Sequence, residues 1–271
     1  MAIVEHTPGR PVRHSIEAVE AAEQRARWRW RGTFAVVWLG LILGLGIGLW
    51  LTGRIDPAFI AEVGPFILEG APTTLLVCVF SIVLATALAI IGALGRLSDN
   101  PIFNAVASFY VSLIRGTPLI VQILFWYLAL PQFGIVLDAL HAGIGALAFN
   151  YGAYMTEIFR AGVEAVPGGQ REAARALGMT EAQVMRRIVF PQAFRIVTPA
   201  IGNEFIAMIK DSALVYLLGV REVLWRADVM GTRFFRSVET LLIAALVYWV
   251  LTIVLSFVQE WLERRMRRGD R

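Results

Sequence analysis

The sequence predicts an all-α polytopic membrane protein of about six transmembrane helices, and three observations carry that prediction. Of 271 residues, 57% are hydrophobic and 17% are charged, with a mean hydropathy of +0.64, well above soluble averages. The apolar residues are gathered into runs of membrane-spanning length, with most of the charge between them. The basic residues, 24 arginines and one lysine, are shared unequally between alternate connections.

Taken in order, residues 1–32 form a polar, cytoplasmic or interfacial N-terminal segment. Within it, 16–31 reads as a short amphipathic helix with Glu23 and Arg27 at i, i+4. Arg25, Arg27, Arg29 and Arg31 alternate with Trp28 and Trp30, a mixture suited to a helix lying at the headgroup level of the lipid bilayer. A disordered basic tail is the alternative. The first span, 33–52, is too long for a signal-peptide core and reads as an uncleaved anchor, with Gly40, Gly44 and Gly48 on a packing face. Residues 54–69, with Asp56, Pro57, Glu62 and Pro65, read as an outer-surface connection.

The second and third spans, 70–95 and 102–130, are longer than the roughly 20 residues a crossing needs, so tilt or a break is expected. Gly116 and Pro118 supply the break in the third. The fourth, 143–163, is weakly apolar, and the fifth is 194–219. The sixth, 238–259, is cleanly apolar and leads into a basic cytoplasmic tail, 261–271. With both termini inside, eighteen arginines fall on the cytoplasmic side and five outside, which places both ends and the 164–191 loop in the cytoplasm.

That loop is unusually ordered for a connection. Gln170–Leu177 is a run of strong helix formers ended by Gly178, and Thr180 with Gln183 reads as a capping box that starts a second helix over 181–189. Pro191 is expected to stop it. Helix, glycine turn, helix, break is a pattern suited to presenting a rigid short helix to a cytoplasmic partner.

Several functions are excluded by arithmetic. A P-loop needs Lys followed by Ser or Thr, but Lys210, the one lysine, precedes Asp211. ATP-driven work therefore requires a separate subunit. Cys78 stands alone in an apolar run, and His6, His14 and His141 have no metal-ligand spacing. No nucleophile elbow or HExxH occurs, so an enzyme has no candidate residues. The arginines flank apolar runs and form no basic recognition helix, which argues against nucleic acid.

The chemistry-bearing residues lie inside the spans, where a charge costs about 2.5–3.5 kcal/mol and usually faces a bundle interior or an aqueous path. In the fifth span Glu204 and Asp211 share one helix face, and Asn203 and Lys210 form a neighbouring stripe. In the fourth, Asn150, Tyr154 and Glu157 follow i, i+4, i+7. Arg115 and Thr117 flank the break of the third span, a recurring way to build a midplane substrate site, and Arg115 suits an amino-acid carboxylate. For each charge a purely structural ion pair is the competing reading, and for Glu157 so is reach to the cytoplasmic interface.

Glu172-Ala173-Ala174, Gly178, Ile188 and Pro191 resemble the EAA loop of ABC importer permeases, EAA-x3-G-x9-I-x-L-P, with Phe190 in place of the usual Leu. RGTPLIVQ at 115–122, NYGAYMTEIFRAGVEAVPGGQ at 150–170 and GNEFIAMIKDSAL at 202–214 resemble the polar amino-acid subfamily. The resemblance covers residues 70–260 and implies the type I importer transmembrane fold. It further implies translocation of polar amino acids across the bacterial inner membrane by alternating access. The implied partners are a cytoplasmic ABC ATPase dimer, a second permease copy (identical or related) and an extracytoplasmic solute-binding protein. ATP and Mg would be bound by the ATPase, leaving no cofactor in this chain. By the same resemblance Glu172 to Gly178 would lie in a groove of the ATPase. An ion-coupled secondary transporter, with Glu204, Lys210 and Asp211 as a relay, is the alternative, although it leaves the cytoplasmic helix pair unexplained.

Overall fold

The computed structural model describes residues 12–53 and 55–267. Residues 1–11, Arg54 and 268–271, which include four arginines of the orientation count and the end of the basic tail, lie outside the described residues. Those described are helical with short turns and contain no strand. They fall into two units, up to Asp56 and from Pro57 onward.

The first unit is one helix, α1 (Val12–Leu51). The expected short interfacial helix is not separate from the span: the backbone stays helical through Gly32. Forty residues at about 1.5 Å each make roughly 60 Å, about twice the hydrocarbon core. Arg27 and Glu23 pair at 3.1 Å, and Trp30, Phe34 and Trp38 form an i, i+4, i+8 aromatic ladder with centroids 5.2 and 5.9 Å apart. With arginines and tryptophans pointing around the helix rather than along one face, it lacks the sidedness of an in-plane helix.

The second unit begins with α2 (Pro57–Leu68), where the sequence suggested a bare connection. Phe59, Val63 and Ile67 recur at four-residue spacing and are buried against Val223, Ala227, Ile243 and Ala244, so an apolar face outweighs the two prolines. Next come α3 (Ala71–Arg96) and α4 (Pro101–Arg115), the latter capped by the Asn100 side chain on Ile102 N at 2.9 Å. After Gly116–Pro118 the chain turns by 104° into α5 (Leu119–Leu124), which continues through a π turn and a 3₁₀ turn to Phe133. The third span is therefore broken where expected.

The central helix is α6 (Ala139–Glu164), capped by Asp138, whose carboxylate accepts Leu140 N and His141 N at 3.0 and 3.1 Å. Its alanines and glycines let α3 pack along it, around Val77, Ala85, Ala89, Leu147 and Met155. Two short loop helices follow, α7 (Gly168–Ala176) and α8 (Glu181–Val184). The helix begun at Glu181 does not stop at Pro191. A π turn at Met185–Val189 carries it into α9 (Phe190–Asp211), placing the proline in the first turn of α9. The wider π turn absorbs the missing N–H, and Gln192 Nε2 donates to Ile188 O at 2.8 Å. After a 3₁₀ turn come α10 (Val223–Phe234) and α11 (Ser237–Arg267). Buried Glu222 joins them: it caps α10 through Trp225 N at 2.7 Å and accepts from Thr74 of α3 at 3.5 Å and from Tyr248 of α11.

Among the described residues, three helical stretches are long and apolar enough to cross a membrane (Ala22–Leu51, Pro57–Arg96, Ser237–Met266), and four if the bent pair counts as one. α6 and α9 are not among them. Surrounded by protein rather than lipid, α6 can afford polar residues that an isolated span cannot.

Candidate functional site: an interhelical charge cluster and a loop helix pair

The break after α4 is held by one side chain that sequence reasoning passed over. Gln122 Nε2 donates to Ile114 O at 2.8 Å, to Thr117 O at 3.2 Å and to Thr117 Oγ1 at 2.9 Å. Buried Asn150 of α6 donates in turn to Gln122 Oε1 at 3.1 Å. Carbonyls freed by Pro118 thus find partners inside the protein, as backbone at membrane depth must. Thr117 and Asn150 are spent on this brace. The one signal for it was the RGTPLIVQ block, which ends on Gln122.

The brace aims Arg115. Its guanidinium carbon lies 5.1 Å from the centre of the Tyr154 ring on α6. Half-buried Glu204 of α9 feels both Arg115 and Asp211. Asp211 accepts a 2.7 Å hydrogen bond from Tyr151, a residue the sequence analysis did not single out. So α4, α6 and α9 bring Arg115, Tyr154, Glu204 and Asp211 together around both signs of charge.

The other path candidates go elsewhere. Glu157 bonds Arg96 of α3 and Arg160, each at 2.9 Å, which ties α3 to the C-terminal end of α6. Arg96 also reaches Ser108 of α4. Asn203 accepts from Gln259 of α11 at 3.0 Å. Lys210 is exposed, and no ion pair to it occurs among the described residues.

In the loop after α6, Gly178 adopts φ +79°, a conformation open to glycine and strained for most side chains. Met179 N donates back to Ala174 O at 3.2 Å, closing a Schellman-type turn. The capping box forms as expected: Thr180 N donates to Gln183 Oε1 at 2.9 Å and Gln183 N to Thr180 Oγ1 at 3.4 Å. Arg175 clamps Glu181 across the turn at 2.6 and 3.0 Å and holds that carboxyl below the usual carboxylate range.

Burial divides the loop into two sets. Ala174 and partly buried Ile188 pack with Val166, Val184, Val189 and Ala193 in a small core. Glu172, Ala173, Gly178 and Pro191 stay exposed, and the Leu177 side chain, 84% exposed, projects at the turn. Arg171 donates to Val163 O at the end of α6, which joins α7 to the central helix.

A helix bent by 104° between apolar spans and an ordered helix pair in a polar loop suit a transport subunit, and comparison with known proteins agrees. Residues 83–268 match the family described as "Binding-protein-dependent transport system inner membrane component". The chain belongs to that family. It is 41% identical over 207 residues to the arginine transport system permease protein ArtQ of Bacillus subtilis (strain 168), covering 76% of this chain and 94% of that one. With the L-cystine transport system permease protein TcyB of the same organism it shares 38% over 205 residues, 75% of this chain and 88% of the other. Among solved structures, an amino acid ABC transporter described as "with histidines" superposes with a TM-score of 0.74 at 40% identity, over 78% of this chain and 99% of that one. The methionine ABC transporter MetNI in an inward-facing form shares the fold, with a TM-score of 0.60 at 17% identity.

This permease is an integral inner-membrane component of an ABC transporter and no enzyme; the ATPase is a separate subunit. The ion-coupled alternative is not favoured.

Proposed function

We propose that the permease imports a polar amino acid through six spans with both termini in the cytoplasm, driven by a separate ABC ATPase dimer that docks on α7 and α8. The observation that carries this reading is the division of the EAA segment by burial. Ala174 and Ile188 hold the turn, while Glu172, Ala173, Leu177 and Gly178 face outward, presented on a loop joined to α6 and continuous with α9. A push on α7 therefore moves the two helices that carry Tyr154, Glu204 and Asp211. ATP binding closes the ATPase dimer and draws the helix pairs of two permease copies together, opening the spans outward; hydrolysis resets them. ATP and Mg belong to the ATPase, and this chain holds no cofactor.

The cluster of Arg115, Tyr154, Glu204 and Asp211 supplies the path. Arg115 matches a substrate carboxylate and Glu204 and Asp211 match an ammonium, the two charges every zwitterionic amino acid carries. The names of the relatives, which include arginine and L-cystine transport, support an amino-acid substrate delivered by a binding protein. The test is a pull-down of tagged permease from gently solubilised native membranes, with its companions identified by mass spectrometry. A co-purifying P-loop ATPase is expected. Recovery of this chain alone, with uptake retained in purified vesicles, would overturn the reading.

A further inference from the structure

α11 runs antiparallel to α9, because Gln259 meets Pro199 and Asn203 while Tyr248 meets Glu222. The α10–α11 turn therefore lies at the end of this unit opposite the α7–α8 pair. Phe235 sits at that turn with φ +56°, the one non-glycine at positive φ among the described residues. Left-handed backbone strains a side-chain-bearing residue, and glycine is the usual occupant of such a helix end. The turn itself is well made: Phe235 N is bonded to Gly231 O, and Arg236 N donates to the same carbonyl at 2.9 Å. Phe234 meets Phe59 of α2 edge-on at 5.5 Å, and Arg236 lies 4.8 Å above that same Phe59 ring. The neighbours of Phe235 are thus fixed on both sides, yet its own ring is 94% exposed and makes no ring contact among the described residues. Folding gains nothing from this residue, in packing or in conformation. A strained backbone that aims an apolar ring away from the rest of the chain needs a use outside it.

We infer that Phe235, with exposed Arg233 beside it, is the anchor on which the extracytoplasmic binding protein docks, its ring entering an apolar pocket bordered by carboxylates on that protein. The inference rests on the orientation and binding-protein dependence proposed above. Two features select this occupant. Aromatic and arginine side chains together make the strongest interface anchors, and exposed Arg233 asks for an acidic rim, whereas Arg236 is already paired with Glu239. A lipid-facing phenylalanine, by contrast, works in any backbone conformation, so membrane anchoring leaves the strain without a purpose.

The experiment uses the permease–ATPase complex in lipid vesicles, titrated with its purified cognate binding protein while ATP hydrolysis is read. Phe235→Gly relieves the backbone strain, so loss of the fold is not expected. It should raise the half-saturating concentration of binding protein about tenfold or more. Phe235→Asn, another side chain tolerant of this backbone, should do the same. Arg233→Glu should raise it several-fold, most at low ionic strength. Unchanged half-saturation in all three variants would overturn the inference. Loss of melting stability in vesicles with unchanged half-saturation would also overturn it, in favour of a membrane anchor. Failure of the underlying reading shows differently: a wild-type complex that no concentration of binding protein stimulates. A Phe235→Cys variant that impermeant maleimide labels only after the cells are permeabilised would show that the orientation is wrong. Cys78, fully buried, stays silent in that assay. Either result removes the inference with its premise.

Discussion

The α7–α8 helix pair and the interhelical charge cluster are both built from polar residues between apolar helices, yet they are held in opposite ways. The helix pair is organised by partners close in sequence. Ala174 O meets Met179 N, Arg175 meets Glu181, and Thr180 meets Gln183. The cluster is organised by partners far apart: Gln122 with Asn150, Tyr151 with Asp211, Arg115 with Tyr154. A rigid lever needs a shape that does not depend on the state of the bundle. In the proposed path, charges would change neighbours when helices move, which suits members that sit on different helices.

This contrast can be broken at either end. The largest effect is expected from Glu172→Arg, which should abolish uptake and ATPase co-purification while the permease stays in the membrane; normal uptake would end the docking assignment. Gly178→Val should come close to it, since a β-branched residue at φ +79° carries about 1–2 kcal/mol of strain and turns Leu177 away from its partner. Gly178→Asn, which tolerates this conformation, should recover much of the uptake, and equal loss in both variants would show that bulk rather than backbone matters. Glu204→Ala should lower uptake about tenfold, roughly 1.4 kcal/mol, with the complex still assembled on gel filtration. Unchanged kinetics would leave Glu204 a structural residue.

Smaller effects sharpen the distinction. Arg96→Ala removes one of the two cations on Glu157 and should cost about 1 kcal/mol, seen as a lower melting temperature in detergent with substrate affinity unchanged. Altered substrate affinity would instead return Glu157 to the path. Thr180→Ala removes half of the capping box and should cost about 1 kcal/mol of local helix stability, read as faster amide exchange over 181–184 with uptake only slightly lowered.

Two misreadings share one cause. Pro191 looked like a terminator because a proline lacks an N–H, but the π turn before it lies beyond the reach of propensity. Residues 54–69 looked like a connection because of Pro57 and Pro65; their apolar face acquires meaning once α10 and α11 are present to cover it. The α-helical i, i+4, i+7 stripe of Asn150, Tyr154 and Glu157 was real as a pattern, yet each residue took a different partner: Gln122, Arg115, and the Arg96–Arg160 pair.

What the sequence determined by itself was the class of molecule, the apolar runs, the break at Gly116–Pro118 and the glycine turn with its capping box. Each follows from hydropathy, from the missing N–H of proline or from hydrogen bonds spanning a few residues, all of which the chain carries locally. Tertiary structure decided which polar residues inside the spans face one another and which merely brace the helices. That choice depends on how α3, α4, α6 and α9 are rotated against each other, and helix rotation is set by packing across the bundle, which no single segment encodes.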